Sequence, residues 1–300
     1  MKSIHPKDFK ADKDFSIKDF PTVADISASD TDKKDELREI SKKLGKLQDK
    51  MYANNRYSVL IVLQGMDTSG KDSLIKQVFK NFNARGVNVY SFKQPTSAEL
   101  EHDYLWRHYI ALPEKGKFAV FNRSHYENVL VSRVHPDILL KENLPGIEAI
   151  EDVPAELWHQ RYKQINNFEK HITQNGTIVL KFFLHISKEE QRQRLLRRLN
   201  LKSHNWKFSP ADLDERQVWD KYQKYYEEAI SNTTHPHAPW YIIPADDKCM
   251  ARVLVAKSIL KELEKYNFHE PDVNEEVLEN ISKYKKKLES ESTPTPKGGA

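Results

Sequence analysis

The sequence predicts an α/β protein of three layers, helix on sheet on helix, built around a mostly parallel five-stranded sheet. Three observations carry that expectation. Five short apolar runs alternate along the chain with segments of helical period. The first run, Val59 to Leu63, is continuous instead of alternating with polar residues, as a strand buried on both faces of a parallel sheet requires. It leads through Gly65-Met66-Asp67-Thr68-Ser69-Gly70-Lys71 into a helical segment near Asp72. A glycine loop between a strand and a helix N-terminus lets backbone N–H groups close around phosphate oxygens while the lysine neutralises them.

Length and composition bound the rest. With 300 residues and 38% hydrophobic content, the chain can bury one large domain with decorations. A net charge of +4 among 31% charged residues is a mixed, mildly basic surface that makes no bulk case for nucleic acid, so a polyanion site has to be local. The single cysteine, Cys249, excludes an intramolecular disulfide framework and fits a reducing compartment, with the cytoplasm as the expected location. No run approaches the roughly 20 apolar residues that span a bilayer, and the N-terminus lacks an apolar signal core. A soluble protein without a membrane partner is expected.

Residues 1–31 show isolated aromatics without a period and read as an arm laid over another surface; 32–268 read as the phosphate-handling domain; 269–300 read as a C-terminal helix and a disordered tail from about Lys285. Leu37, Ile40, Leu44, Leu47 and Met51 stripe a helix that leads into the first strand. That stripe suits a core, and with the aromatic arm it also suits a subunit interface, so self-association is expected. Tyr57 to Leu63 is the loop strand, and Leu74, Ile75, Val78, Phe79 and Phe82 carry the loop helix onward. After Arg85-Gly86, Val87 to Phe92 is a second strand. Thr96 or Ser97 then caps a helix to about Ile110 that bears Arg107.

Phe118 to Phe121 is the third strand, ending in Asn122-Arg123-Ser124-His125-Tyr126-Glu127. Ligands of open parallel sheets bind outside the carboxyl ends of the strands, so this run should face the same crevice as the loop. Two departures from an ordinary phosphate loop stand out. Asp72 intervenes between Lys71 and Ser73, where a metal-holding Ser or Thr is usual, and Asn122 takes the place of the strand-end Asp. Metal work should pass to Asp67, with Asp72 and Glu127 as further carboxylates.

Pro136 to Val153 is punctuated by Pro145-Gly146 and reads as a surface excursion shaping the acceptor side. A helix from Pro154 to Gln174 stops at Asn175-Gly176, and Thr177 to His185 is the fourth strand. Ser187-Lys188-Glu189-Glu190 has the form of a capping box opening a helix with Arg192, Arg194, Arg197 and Arg198, of which the last three share a face. Leu213, Val218, Trp219, Tyr222 and Tyr226 suit a core-facing helix. His235-Pro236-His237 has no carboxylates nearby and reads as a loop, not a zinc site. Trp240 to Ile243 is the fifth strand, under a covering helix from Ala251 to Tyr266.

The glycine loop, Leu105-Trp106-Arg107, Phe121 to Glu127 and Ser132-Arg133-Val134-His135 together resemble the polyphosphate kinase 2 family, in order from about residue 35 to 265. The resemblance implies a thymidylate-kinase-like fold and Mg²⁺-dependent phosphorylation of nucleotides from inorganic polyphosphate. The Asn122 and Glu127 version, where many members carry Asp and Asn, is similar to the subgroup that accepts both AMP and ADP, giving ATP and open to reversal. Charge at those two residues is then expected to set the AMP-to-ADP preference. The resemblance also implies a lid at about 188–212 whose Arg194 and Arg198 close over the transferred phosphoryl group, and an acceptor-orienting role for Arg107. On this reading Gly65, Thr68, Ser69, Gly70, Lys71, Asp72 and Ser73 cradle the donor, Asp67 and Glu127 hold Mg²⁺, and Arg123 and Arg133 offset charge on the moving group. Asn122, Glu127 and Arg107 would meet the acceptor nucleotide. The other readings of the same loop are an ATP-dependent nucleoside monophosphate kinase and a noncatalytic polyanion-binding protein.

Overall fold

The computed structural model describes residues 5–291. After two 3-10 turns in the arm comes α1 (Asp30–Asn54), opened by a capping box between Ser29 and Asp32 and closed by Asn55 in the left-handed region. β1 (Ser58–Gln64) runs into the loop and α2 (Lys71–Val78), followed by β2 (Val87–Ser91). Two single-turn helices, α3 (Ser97–Leu100) and α4 (Trp106–Tyr109), precede β3 (Phe118–Asn122). Next are α5 (Glu127–Val134), α6 (Asp137–Leu140), α7 (Glu156–Gln174), β4 (Thr177–His185), α8 (Lys188–Asn200), α9 (Ala211–Gln217) and α10 (Trp219–Thr233). The order closes with β5 (Trp240–Pro244), α11 (Lys248–Leu263) and α12 (Glu275–Glu289).

The strands lie in the order β2-β3-β1-β4-β5, and every pair is parallel. Leu60 sits between Ala119 and Val179, which places the end of β1 at the centre of the sheet, flanked by the end of β3. β1, β3 and β5 are buried throughout, whereas β2 is an edge strand with Asn88, Val89 and Ser91 exposed. α1, α2 and α11 form one helical layer; α5, α7 and α10 form the other. The α1 stripe of Leu37, Ile40, Leu44 and Met51 is buried where α1 packs on α11, so it is consumed inside the subunit. The arm is likewise engaged, with Phe15 and Ile17 buried and Lys10 bridged to Tyr241 beside β5.

Three expectations change. The helix expected to run to Ile110 is broken between α3 and α4, because Asp103 accepts from the Leu105 N–H (2.9 Å) and from Trp106 through its carbonyl, a local turn that outcompetes helix propagation. α2 stops at Val78, four residues before Phe82, which instead turns onto Phe118. Lys285 to Glu289 are helical, as part of α12, where disorder was expected; the remainder of that tail, 292–300, lies outside the described residues. Among the described residues no helix is long and apolar enough to cross a membrane.

Candidate active site

The loop between β1 and α2 is held in conformations that few residues adopt. Gly65 has φ +148°, and a Cβ there would stand 2.8 Å from the Leu184 carbonyl, so glycine is required by space as well as by backbone. Thr68 (φ +65°) and Gly70 (φ +107°) turn the chain so that α2 begins at Lys71. The Lys71 ammonium is folded onto the Gly65 (2.7 Å) and Met66 (3.3 Å) carbonyls. Burial, aided by the charge of Arg123, pulls its pKa down to about 8. Ser73 Oγ donates to the Gly70 carbonyl, closing the loop from inside.

At the end of β3 the chain bends through Arg123, which has φ +63° and donates its N–H to the Leu63 carbonyl. The bend sends successive side chains to opposite sides. The Arg123 guanidinium bridges Asp67 (2.8 Å) and Glu127 (3.3 Å), whose charges, Glu127 foremost, hold it firmly protonated. Asn122 points the other way and donates from Nδ2 to Asp72 Oδ1 at 2.6 Å. An ordinary phosphate loop sets a neutral Ser or Thr after the lysine against a strand-end carboxylate. Here the carboxylate and the neutral partner have exchanged places.

Two cavities meet at this cluster. One, of about 470 Å³, runs from Thr68, Gly70 and Lys71 past Asn122 to Arg197, Arg198, Lys207, Lys248 and Arg252. Eight Lys and Arg side chains line it against two carboxylates, Asp67 and Asp72. Lys248 is pushed down to about 8 by burial and by Arg194 and Arg197, which the opposing charge of Glu190 only partly offsets, the mark of positive charge crowded together. The other cavity, of about 480 Å³, is mixed in character: Phe92, Pro95, Leu100, Val131 and Tyr222 supply apolar walls, and Arg107, Ser132 and His135 supply polar ones. Asp67 and Arg123 wall both cavities.

Most of the expected site residues therefore converge. Gly65, Asp67, Thr68, Gly70, Lys71, Asp72, Ser73, Asn122, Arg123 and Arg198 lie on the basic groove or the loop that forms it, and Arg107 and Glu127 lie on the mixed cavity. Ser69 is buried behind the loop, with its N–H on the Met66 carbonyl. Arg107 is held by the Lys93 carbonyl (2.8 Å) and Glu99 (3.3 Å) over the Phe92 ring. Three residues depart from expectation. Arg133 is not brought into the crevice: it pairs with Glu228 and the Tyr162 hydroxyl and stacks 4.0 Å from the Tyr225 ring centre. Asn122 faces the basic groove and not the mixed cavity, as the last residue of β3 with its amide turned to Asp72. Arg194 reaches the wall of the basic groove but is almost wholly buried, its guanidinium turned to the loop's carbonyls, and the Glu190 carboxylate, expected to complete the capping box, is turned to Arg194 instead. Sequence reasoning missed Lys207, Lys248 and Arg252. The last two stand four apart immediately after β5, where the carboxyl-end rule points.

The placement of Asn122 reshapes one expectation about acceptor choice. Asn122→Asp would set a carboxylate against Asp72, so it should slow reactions of AMP and ADP equally, whereas changes at Glu127 should alter their ratio. Initial rates on the two acceptors check this, and a changed ratio in Asn122→Asp with equal losses at Glu127 would reverse the assignment of cavities.

Comparison with known proteins bears on this geometry. A family model described as Polyphosphate kinase 2 matches residues 27–272. An ADP-polyphosphate phosphotransferase of Rhodopseudomonas palustris is 48% identical over 236 residues, which is 79% of this chain and 81% of that protein. An AMP/ADP-polyphosphate phosphotransferase of Meiothermus ruber is 46% identical over 228 residues, 76% of this chain and 80% of that protein. Among solved structures, Polyphosphate Kinase 2 from Arthrobacter aurescens TC1 superposes with a TM-score of 0.85 at 32% identity, covering 94% of this chain and 96% of that one.

Proposed function

The chain belongs to the polyphosphate kinase 2 family, and on that premise we propose that it transfers phosphoryl groups from inorganic polyphosphate to AMP and ADP. It is a phosphotransferase of the polyphosphate-dependent nucleotide kinase type, which sets aside the noncatalytic reading. The observation that carries the assignment of substrates to places is the pair of cavities sharing Asp67 and Arg123. A long polyanion suits the basic groove, and a nucleotide, with its ring and sugar, suits the mixed cavity. Phosphoryl transfer asks for alignment and charge neutralisation more than for a strong base, and the shared wall supplies both.

In this reading the amides of the loop and α2 cradle the donor, and Lys71 leaves its loop carbonyls for a phosphate oxygen. Arg123 shifts between its two carboxylates and the group in flight; its 40% exposed side chain leaves room for that. Arg107, fixed by Lys93 and Glu99, orients the acceptor phosphate. Arg198 and Lys207 grip the donor from the segment that follows β4, which closes as a lid.

Mg²⁺ fits the residues present. Among the described residues no three His, Cys, Asp or Glu side chains converge into a protein cage. Asp67 and Glu127 meet on one guanidinium, and one or two carboxylates with substrate phosphates are the usual Mg²⁺ environment. When bound, the ion offsets phosphate charge. Asp67→Asn should therefore lose most activity at ordinary Mg²⁺ and recover little as Mg²⁺ is raised, since charge and ligand vanish together. An Mg²⁺ titration of initial rate is the check; an unchanged dependence would move the metal to Asp72 or Glu127.

The competing reading, an ATP-dependent nucleoside monophosphate kinase, differs in donor. Supplying polyphosphate or ATP separately with AMP and Mg²⁺ decides it: the proposal expects turnover with polyphosphate alone, and turnover with ATP alone would reverse it.

Self-association is assigned to α12, pairing with a second copy of itself. Val277, Ile281, Tyr284 and Leu288 are exposed at alternating spacings of four and three, a coiled-coil seam. Glu275, Glu276 and Glu279 precede Lys283, Lys285, Lys286 and Lys287, so antiparallel apposition sets unlike charges together. Sedimentation of chains with and without residues 275–300 tests this; an unchanged mass would remove α12 from the interface.

A further inference from the structure

We propose that Arg194 is a positioning residue that holds the glycine loop in its phosphate-binding shape from behind, and does not itself grip phosphate. The inference rests on the reading of that loop as the donor cradle. A guanidinium has five N–H donors, and all five of Arg194 are engaged. Nη1 donates to the carbonyls of Thr68 (2.9 Å) and Ser69 (3.1 Å). Nη2 donates to those of Ala245 (2.7 Å) and Asp246 (2.9 Å), and Nε to Glu190 (2.7 Å). Three residues earlier on α8, the fully buried Gln191 donates to the carbonyl of Asp67 at 3.2 Å. Three consecutive loop carbonyls, 67 to 69, are thus pinned by one helix.

The consequence follows from peptide geometry. In a trans peptide the C=O and the next N–H point to opposite sides. Drawing the Ser69 carbonyl toward α8 turns the Gly70 N–H away from it, toward the groove that Thr68, Gly70 and Lys71 line. Thr68 at φ +65° adopts this bend against its own preference, so an outside clamp is needed to keep it. The Ala245 and Asp246 contacts make the clamp rigid, because those residues follow directly on the buried β5. Asp246 also accepts from the Ser187 N–H at the start of α8. One side chain therefore fastens the loop to two elements of the sheet's carboxyl edge.

Three variants separate holding from gripping. Arg194→Lys keeps the charge, but a single ammonium cannot span both carbonyl pairs. Arg194→Met removes the charge as well, and Gln191→Leu removes the Asp67 contact, together with the hydrogen bond that Gln191 accepts from Arg216 (2.9 Å), while leaving every cation in place. The readouts are kcat, the dependence of the polyphosphate KM on salt, and amide hydrogen exchange of residues 66–73. Positioning predicts that Arg194→Lys and Arg194→Met lose kcat alike, at least about tenfold. Gln191→Leu should move in the same direction, and loop amides should exchange faster in all three while those of β1 stay protected. The slope of log KM against log salt should keep its wild-type value in Arg194→Met, because no phosphate contact is lost, and should flatten in Arg252→Met, the reference cation of the groove. Wild-type kcat in Arg194→Lys, or a slope flattened in Arg194→Met as in Arg252→Met, would overturn the proposal. If the Arg194 variants do not fold, Gln191→Leu decides: unchanged kcat and loop exchange also overturn it. Wild-type protein inactive with polyphosphate would instead reject the substrate assignment, while the exchange readout still judges the clamp.

Discussion

Lys71→Met should lower polyphosphate-dependent phosphorylation of AMP by at least about a hundredfold, comparable to losing one preorganised transition-state donor, while the melting temperature holds. The loop offers one cation of its own, and the fold has already desolvated and aimed it. Its ammonium rests on the Gly65 and Met66 carbonyls at the mouth of the basic groove, with its pKa drawn down to about 8 by burial and by Arg123. An arriving phosphate chain restores the missing negative charge, so the interaction is strongest when the donor is bound. Met keeps the aliphatic stem and removes a charge that burial disfavours, which is why stability should not fall. Initial rates together with a melting curve check this. Near-normal turnover would mean that the donor does not lie in this loop.

Lys181→Met should have the largest effect on stability, about 3–5 kcal/mol, the cost of stranding a buried charge. Lys181 lies in the middle of β4 and is wholly buried with Glu169 of α7. Its ammonium donates to Glu169 (2.5 Å), the Tyr126 hydroxyl (2.9 Å) and the Thr233 carbonyl (2.7 Å), using all three donors. Glu169 also accepts from the Tyr126 hydroxyl and meets His125 Nε2 at 3.1 Å. Burial alone would push the Glu169 carboxyl up, but Lys181 and His125 outweigh it and hold it below the usual range. A depressed carboxyl contributes stability that is present at neutral pH and is lost as pH falls through its folded value. Lys181→Met removes the cation, leaves the buried Glu169 with only the Tyr126 hydroxyl and His125 as partners, and loosens Tyr126, which sits beside Glu127 in the strand-end run. Denaturant unfolding of Lys181→Met should show that loss, partly recovered when Glu169→Gln is added. A loss under about 1 kcal/mol would mean that the pair is not carried as ions.

The parts of this protein written locally were legible from the sequence. Five strands, the glycine loop and the polar run after β3 announce themselves by period and by neighbours within a few residues, although the second strand, expected to be buried, is exposed at the sheet edge. Strand order does not, since nothing in Val87 to Ser91 says that it pairs beyond β3 at the sheet edge. The spacing of Arg194, Arg197 and Arg198 showed a shared face, yet not that carbonyls of Thr68, Ser69, Ala245 and Asp246 would meet the first of them. The turn that carries the chain from Asn122 to Glu127 depends on one left-handed residue, Arg123, that no propensity predicts. Lys181 was hidden because a lysine within an apolar strand reads as an interruption until its partner, twelve residues earlier on α7, is placed beside it. Lys248 and Arg252 belong to a helix start whose groove is defined by segments far away in sequence.

On the proposed reading one loop, with a polyphosphate donor on one side, serves both acceptors on the other. The most direct measurement is a time course of AMP with Mg²⁺ and polyphosphate and no ATP, with AMP, ADP and ATP separated and quantified. ADP should rise first and then yield to ATP as polyphosphate is consumed, because the same site takes the second acceptor after the first. AMP remaining unchanged until ATP is added as donor would contradict the claim.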